Sequence, residues 1–286
     1  MEQVLVNGVY LGCQYALIAL GLTLIFGLMG VLNFAHGQMY VLGGFVTYYV
    51  YGVLGLPFPL ALVATAATLC VTGALFDKLF FRRVLRHGAR EESSMLLAAG
   101  TALLLESLIL IFFGEKHRGV PSLAPGVARI GDAFLPWSRI VVMVLAAALI
   151  VGFIVFMRQT RMGRGLRAIA QDREAALLQG VNVERYGMIG FAIGAALAGL
   201  AGSLLVAISG VNSGLGTWIS IKAFIMVMIG GAGVVSGAIL GGFILGMAES
   251  LGYRFFPGGE TYLILFVAII AFLAIRPQGL MGKPWG

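Results

Sequence analysis

The chain has 286 residues, of which 60% are hydrophobic and only 11% charged, with a mean hydropathy of +0.99 and a net charge of +7. A soluble domain carries about a quarter charged residues, so this composition excludes a globule clothed by water. The basic residues cluster in loops between apolar runs and carry no interleaved aromatics, which reads as membrane topology and excludes a nucleic-acid partner.

Apolar runs of roughly 20 residues, the length that crosses a bilayer as helix, begin at residues 4–29, where no small-residue cleavage site follows and the segment is expected to stay in the protein. A polar interruption at 33–38 separates this run from a second apolar stretch ending near residue 54, where Pro57 and Pro59 set a turn. A third span reaches residue 81, a fourth covers 94–113 and a fifth 139–157, with a proline-containing loop at 114–138 between the last two. The sixth span ends near residue 208; two shorter, glycine-interrupted segments follow at 218–229 and 234–253, and the last span covers 261–275. Lipid offers no partners to backbone polar groups, so spans are helices or a closed barrel, and runs such as 141–156 lack the alternation of barrel strands. The fold class is therefore all-α: one transmembrane helix bundle over residues 1–286, with eight or nine spans and glycine-rich segments that are broken or re-entrant.

Loops 78–90 and 158–185 hold five and six Lys or Arg, and the tail adds Arg276 and Lys283, together 13 of the 19 in the chain. Span parity puts all three on one face, which the positive-inside rule makes cytoplasmic, with the N-terminus outside. Cys13 and Cys70 lie within apolar runs and read as packing residues, and no metal motif, nucleophile elbow or phosphate-binding loop occurs. No catalysis, metal or cofactor is expected in this chain, so the energy for any transport must come from another polypeptide.

The longest basic loop carries the most specific signal. Residues 166–178 favour helix by composition, with Ile169, Ala176 and Leu177 on one face, Asp172 and Glu174 off it, and Gly180 placed as a left-handed C-cap. Arg158, Arg161, Arg164 and Arg167 precede it, with Gly163 and Gly165 expected to interrupt any helix there. These arginines read either as topology and anionic-lipid anchors or as contacts to a partner.

Glu174-Ala175-Ala176, three residues, then Gly180 resembles the coupling motif of ABC-importer permeases, although the Leu-Pro pair often found further along is replaced by Tyr186-Gly187. Leu32-Asn33-Phe34-Ala35-His36-Gly37, Ser220-Ile221-Lys222-Ala223-Phe224 followed by Gly230-Gly231, and Arg276-Pro277-Gln278-Gly279-Leu280 resemble the shorter permease of high-affinity branched-chain amino acid importers. The resemblance implies an inner-membrane subunit working with a second, paralogous permease, two ATP-binding subunits that hold the ATP, and a periplasmic binding protein for leucine, isoleucine or valine. It also implies that Asp172, Glu174, Ala175, Ala176 and Gly180 couple the bundle to the ATPase. Urea, short amides or other amino acids on the same scaffold, or an ion-coupled secondary transporter, are the alternatives.

A translocation path is expected near Asn33, His36, Gly37, Lys222, Gly230 and Gly231. Each has a plainer reading: Asn33 as a helix cap with His36 at the interface, Lys222 snorkelling outward near Trp218, and the glycines allowing close helix packing. Glu106 and Glu249 fall within spans, where a carboxylate is expected to be paired or near the interface. The repeated Leu-Gly-Gly-Phe at 42–45 and 240–243 hints at two related halves.

Overall fold

The computed structural model describes residues 1–30, 33–81, 91–131, 133–256 and 258–282; Arg82, Arg83, Arg86 and Arg90 of the first basic loop, Leu32 and Lys283 lie outside them. In chain order the helices are α1 Glu2–Met29, α2 His36–Thr47, α3 Phe58–Phe76, α4 Glu91–Phe113, α5 Trp137–Gln159, α6 Arg161–Gln171, α7 Arg173–Leu178, α8 Val183–Ser209, α9 Leu215–Gly230, α10 Val235–Phe255 and α11 Gly258–Ile275. Wider π-helical turns extend α2 over Tyr48–Val53 and α3 over Asp77–Phe81. Strands β1 Val127–Ile130 and β2 Ala133–Pro136 form a small antiparallel hairpin with Val127 opposite Pro136.

Among the described residues seven helices are long and apolar enough to cross a membrane, and α9 is a shorter apolar helix. With α2 and its π extension they make up the bundle, which is the all-α architecture expected. α2 starts against the middle of α1. His36 Nε2, at the first residue of α2, lies 3.1 Å from the carbonyl of Ile18, well inside α1.

α1 and α8 are the central helices, because both are walled on most sides and carry small residues where neighbours cross. A Cβ on Gly242 of α10 would lie 2.5 Å from Ala16 N, and one on Gly246 2.5 Å from Gly12 N. Small residues spaced by four on both helices thus let the two backbones touch, which in lipid is the main source of attraction between helices. On α2, Gly43 meets the backbone of Gly199 of α8. The repeated Leu-Gly-Gly-Phe segments therefore place a glycine at a close helix crossing on each side of the molecule. We expect Gly246→Leu to collapse the yield of folded, detergent-extracted protein several-fold; an unchanged yield and melting temperature would show that this crossing can open without cost.

The glycine pattern is read differently by the structure than by the sequence. α10 runs unbroken through Gly237, Gly241, Gly242 and Gly246. The break falls just ahead, at 231–234, where Gly231 (φ +105°) and Gly233 (φ +80°) take a conformation open to glycine. Hydroxyls missed in the sequence tie three helices together: Thr47 Oγ1 of α2 donates to Ser203 Oγ of α8 at 2.6 Å and lies 3.0 Å from Thr65 Oγ1 of α3.

The two ends of the bundle differ. At one, Gln3 of α1 exchanges hydrogen bonds with Phe134 of the hairpin, at 3.2 and 2.8 Å. At the other, Gly27 near the end of α1 faces Ala170 of α6 and Gly233. The tail closes on the same end, with Leu280 N donating to Ile229 O at 2.8 Å and Met281 N to Gly230 O at 3.0 Å. The second basic loop and the C-terminal tail thus share a side, opposite the N-terminus, as span parity required.

Candidate coupling and translocation site

The loop after α5 folds into two helices where the sequence suggested one. Thr160 caps α6 by accepting from Gly163 N at 2.9 Å. Gly163 and Gly165 do not interrupt this helix. A Cβ on Gly163 would lie 2.5 Å from the carbonyls of Phe156 and Met157, and one on Gly165 2.7 Å from Tyr186 Cζ, so glycine lets α6 pack closely against the end of α5 and the start of α8. Leu166 and Ile169 turn inward and are buried, while Arg161, Arg164 and Arg167 stay exposed.

Asp172 then breaks the helix in an extended conformation and caps α7, its Oδ1 accepting from Ala175 N at 2.9 Å. The six-residue α7 ends on Gly180, whose φ of +79° is left-handed as expected. Gly180 N donates to Leu177 O at 2.9 Å and Val181 N to Ala176 O at 3.0 Å, the paired bonds of a Schellman ending. Asn182 caps α8 immediately afterwards by accepting from Arg185 N at 2.9 Å.

Ala176 is the buried residue of α7, and Glu174 is exposed. Leu177 does not join Ile169 and Ala176 on the inner face. It is 54% exposed and Leu178 is 88% exposed. Successive residues of a helix lie about 100° apart, so once Ala176 points inward the next two must turn away. The result is a capped, rigid nub with two leucines at its tip. The sequence put Leu177 on the inner face and did not single out Leu178; the signal available was the shortness of a helix whose one inward position was already taken by alanine.

The residues expected to line a path fall into two groups. Asn33, His36 and Gly37 lie together at the break between α1 and α2. Asn33 Oδ1 accepts from Ala35 N at 3.1 Å, so it organises the turn ahead of α2, whose N-cap position belongs to Ala35. His36 is fully buried against Ile18 and not at an interface. Gly37 N donates to Ser220 Oγ of α9 at 3.0 Å, and Ser220 donates to Phe34 O at 2.8 Å. Among the described residues, Asn33 Nδ2, His36 Nδ1 and Gln38 Oε1, close to this break, are buried without a protein partner, and so is Thr23 Oγ1 on α1. Buried polar atoms are normally paired, so Asn33, His36 and Gln38 form an under-satisfied polar group at this helix break. The second group, Gly230 and Gly231, sits ten residues beyond Ser220, about 15 Å along α9, packed on Gly237 and Gly282.

Lys222 belongs to neither group and does not snorkel. Its Nζ lies 2.9 Å from Glu249 Oε1 of α10 and donates to Tyr15 Oη at 2.7 Å and Tyr262 Oη at 3.1 Å. Glu249 is thus paired, as an intramembrane carboxylate must be. Among the described residues Glu106 has no cation partner; it accepts from Gln38 Nε2 at 3.3 Å and Thr217 Oγ1 at 3.1 Å.

A cavity of about 820 Å³ opens beside α6, bounded by the ends of α1 and α5, the 231–234 bend, the start of α10 and the tail. Among the described residues no group of His, Cys, Asp and Glu could hold a metal.

The family described as "Branched-chain amino acid transport system / permease component" matches residues 4–274. This chain belongs to that family. Within it, the permease is 33% identical to the high-affinity branched-chain amino acid transport system permease protein BraD of Pseudomonas aeruginosa, over 99% of this chain and 96% of that one. It is 32% identical to the corresponding protein LivH of Escherichia coli K12, with the same coverage. Among solved structures, PsaBC from Streptococcus pneumoniae in complex with Fab shares the fold at a TM-score of 0.50 and 15% identity, covering 96% of this chain and 92% of that one. Both of these curated relatives are named as transport system permease proteins.

Proposed function

We propose that this permease is the membrane subunit of an ATP-driven importer that moves leucine, isoleucine or valine across the bacterial inner membrane. A periplasmic binding protein delivers the amino acid, a paralogous permease completes the membrane unit, and two ATP-binding subunits supply the power stroke. The basic loop and the tail face the cytoplasm, following the excess of Lys and Arg on that side.

The observation that carries this reading is α7. A six-residue helix, capped at both ends by Asp172 and Gly180, presents Glu174, Leu177 and Leu178 to solvent. Exposed leucines on a rigid helix are suited to a groove on another protein. The rest of the loop transmits force: α6 is anchored by buried Leu166 and Ile169, and its Gly165 bears on Tyr186 at the base of α8. Motion of α7 therefore reaches the central helix of the bundle directly. The break holding Asn33, His36 and Gly37 lies on the route, where its unpartnered atoms can meet the charged ends of a zwitterion that Ser220 and the backbone alone leave unserved. Gly230 and Gly231 act as the flexible end of α9.

Reconstituting the permease with its ATP-binding partners, paralogue and binding protein is expected to give leucine uptake that requires ATP hydrolysis. Uptake driven by an ion gradient with no nucleotide present would reject the assignment.

A further inference from the structure

We propose that the cavity beside α6 binds an anionic phospholipid, seated between the coupling helices and the bundle. Its volume is about 820 Å³; Phe26, Ile154, Met157 and Ile239 give it an apolar wall, Thr23, Gln171, Ser236 and Gln278 are its uncharged polar residues, and Arg158 and Arg167 stand in its lining with no carboxylate among the other lining residues. No ion pair engages either arginine among the described residues. Arg158 is in the last turn of α5, at the depth where a spanning helix leaves the membrane, and Arg167 is on α6, which lies across that end. An apolar wall beside two guanidiniums and several neutral polar groups at the membrane surface matches a molecule with hydrocarbon tails and a phosphate.

The transported zwitterion fits this chamber poorly, since two fixed positive charges that hold its carboxylate repel its ammonium group. The chamber is also separated from the buried break. His36 meets α1 at Ile18, whereas Gly27, nine residues on and roughly two and a half turns round, faces the chamber from the other side of the same helix. A lipid here touches Ala170 and Gln171, immediately before the Asp172 hinge. It would set how freely α7 moves, making coupling depend on the anionic lipid content of the membrane.

Native mass spectrometry of the full chain tests this, with phosphatidylglycerol, phosphatidylethanolamine of the same acyl chains, and inorganic phosphate as probes. One phosphatidylglycerol should be retained about thirtyfold more strongly than phosphatidylethanolamine, the product of roughly fivefold per basic residue at an anionic surface. Arg158→Gln with Arg167→Gln should erase the preference, and Arg161→Gln with Arg164→Gln, on the same loop but outside the cavity lining, should keep it. Ala170→Trp, which leaves both guanidiniums and fills the apolar part, should also lose the lipid. Equal retention of the two lipids overturns the proposal, as does an equal loss in the control pair. Retention in Ala170→Trp overturns it too, and so does displacement by millimolar inorganic phosphate, which would indicate a free-anion site. Because the readout is lipid retention, its failure leaves the transport assignment standing.

Discussion

Replacing Leu177 and Leu178 together by aspartate is expected to lower ATP-driven uptake more than a hundredfold while leaving membrane insertion and the yield of folded protein unchanged. Both side chains face solvent in the isolated subunit, so their loss costs the bundle almost nothing. Fully burying a leucine in a partner's groove contributes about 1.5–3 kcal/mol, so two lost anchors remove about 3 kcal/mol or more of docking energy. Carboxylates in an apolar groove add a desolvation cost. Each 1.4 kcal/mol is a factor of ten, hence the expected size. Uptake and ATPase stimulation measured side by side separate a docking defect from a blocked path. Coupling at the native level in the double variant would remove α7 from the mechanism. Glu174→Lys and Gly180→Trp should act in the same direction. The Gly180 effect arises from the left-handed φ of +79°, which costs a residue with a Cβ roughly 1–2 kcal/mol, because open space surrounds that position.

The sequence displays those features that depend on local chemistry. Apolar run lengths located the helices, and Gly180 announced its own cap because only a backbone preference was at stake. What depended on the partner across a contact was hidden. Gly163, Gly165, Gly241 and Gly242 look like helix breakers in isolation. In the bundle each sits in a helix at a point where another backbone or ring leaves no room for a Cβ. The price of glycine in a helix, about 1 kcal/mol, is met by the close approach it permits. The site shows the same division. Asn33 and His36 were recognisable as polar residues in an apolar setting. That His36 reaches Ile18 of α1, 18 residues back, follows from a chain reversal that no periodicity encodes. The pairing of Lys222 with Glu249, 27 residues apart on separate helices, was likewise out of reach of spacing arguments.

That pair leads to the second large expected effect. Lys222→Met alone should destabilise the folded permease by about 3–5 kcal/mol, the usual result of stranding one member of a buried ion pair. Glu249 is 3% exposed and would be left among Tyr15, Tyr253 and Tyr262 with no cation to answer it. The consequence reaches furthest at α11, where only Thr261 and Ile269 are buried and Tyr262 supplies the polar link to the cluster. Adding Glu249→Gln to Lys222→Met removes the stranded charge and leaves the tyrosine hydroxyls an amide to bond, so the double variant should recover most of the loss. Thermal unfolding in detergent reads both, and protease cleavage at 256–260 should rise in the single variant as α11 detaches. A lysine carrying substrate would behave in the opposite way: Lys222→Met would leave the melting temperature intact, and adding Glu249→Gln would restore nothing. A stable single variant with lost uptake would therefore return Lys222 to the path and withdraw it from the architecture.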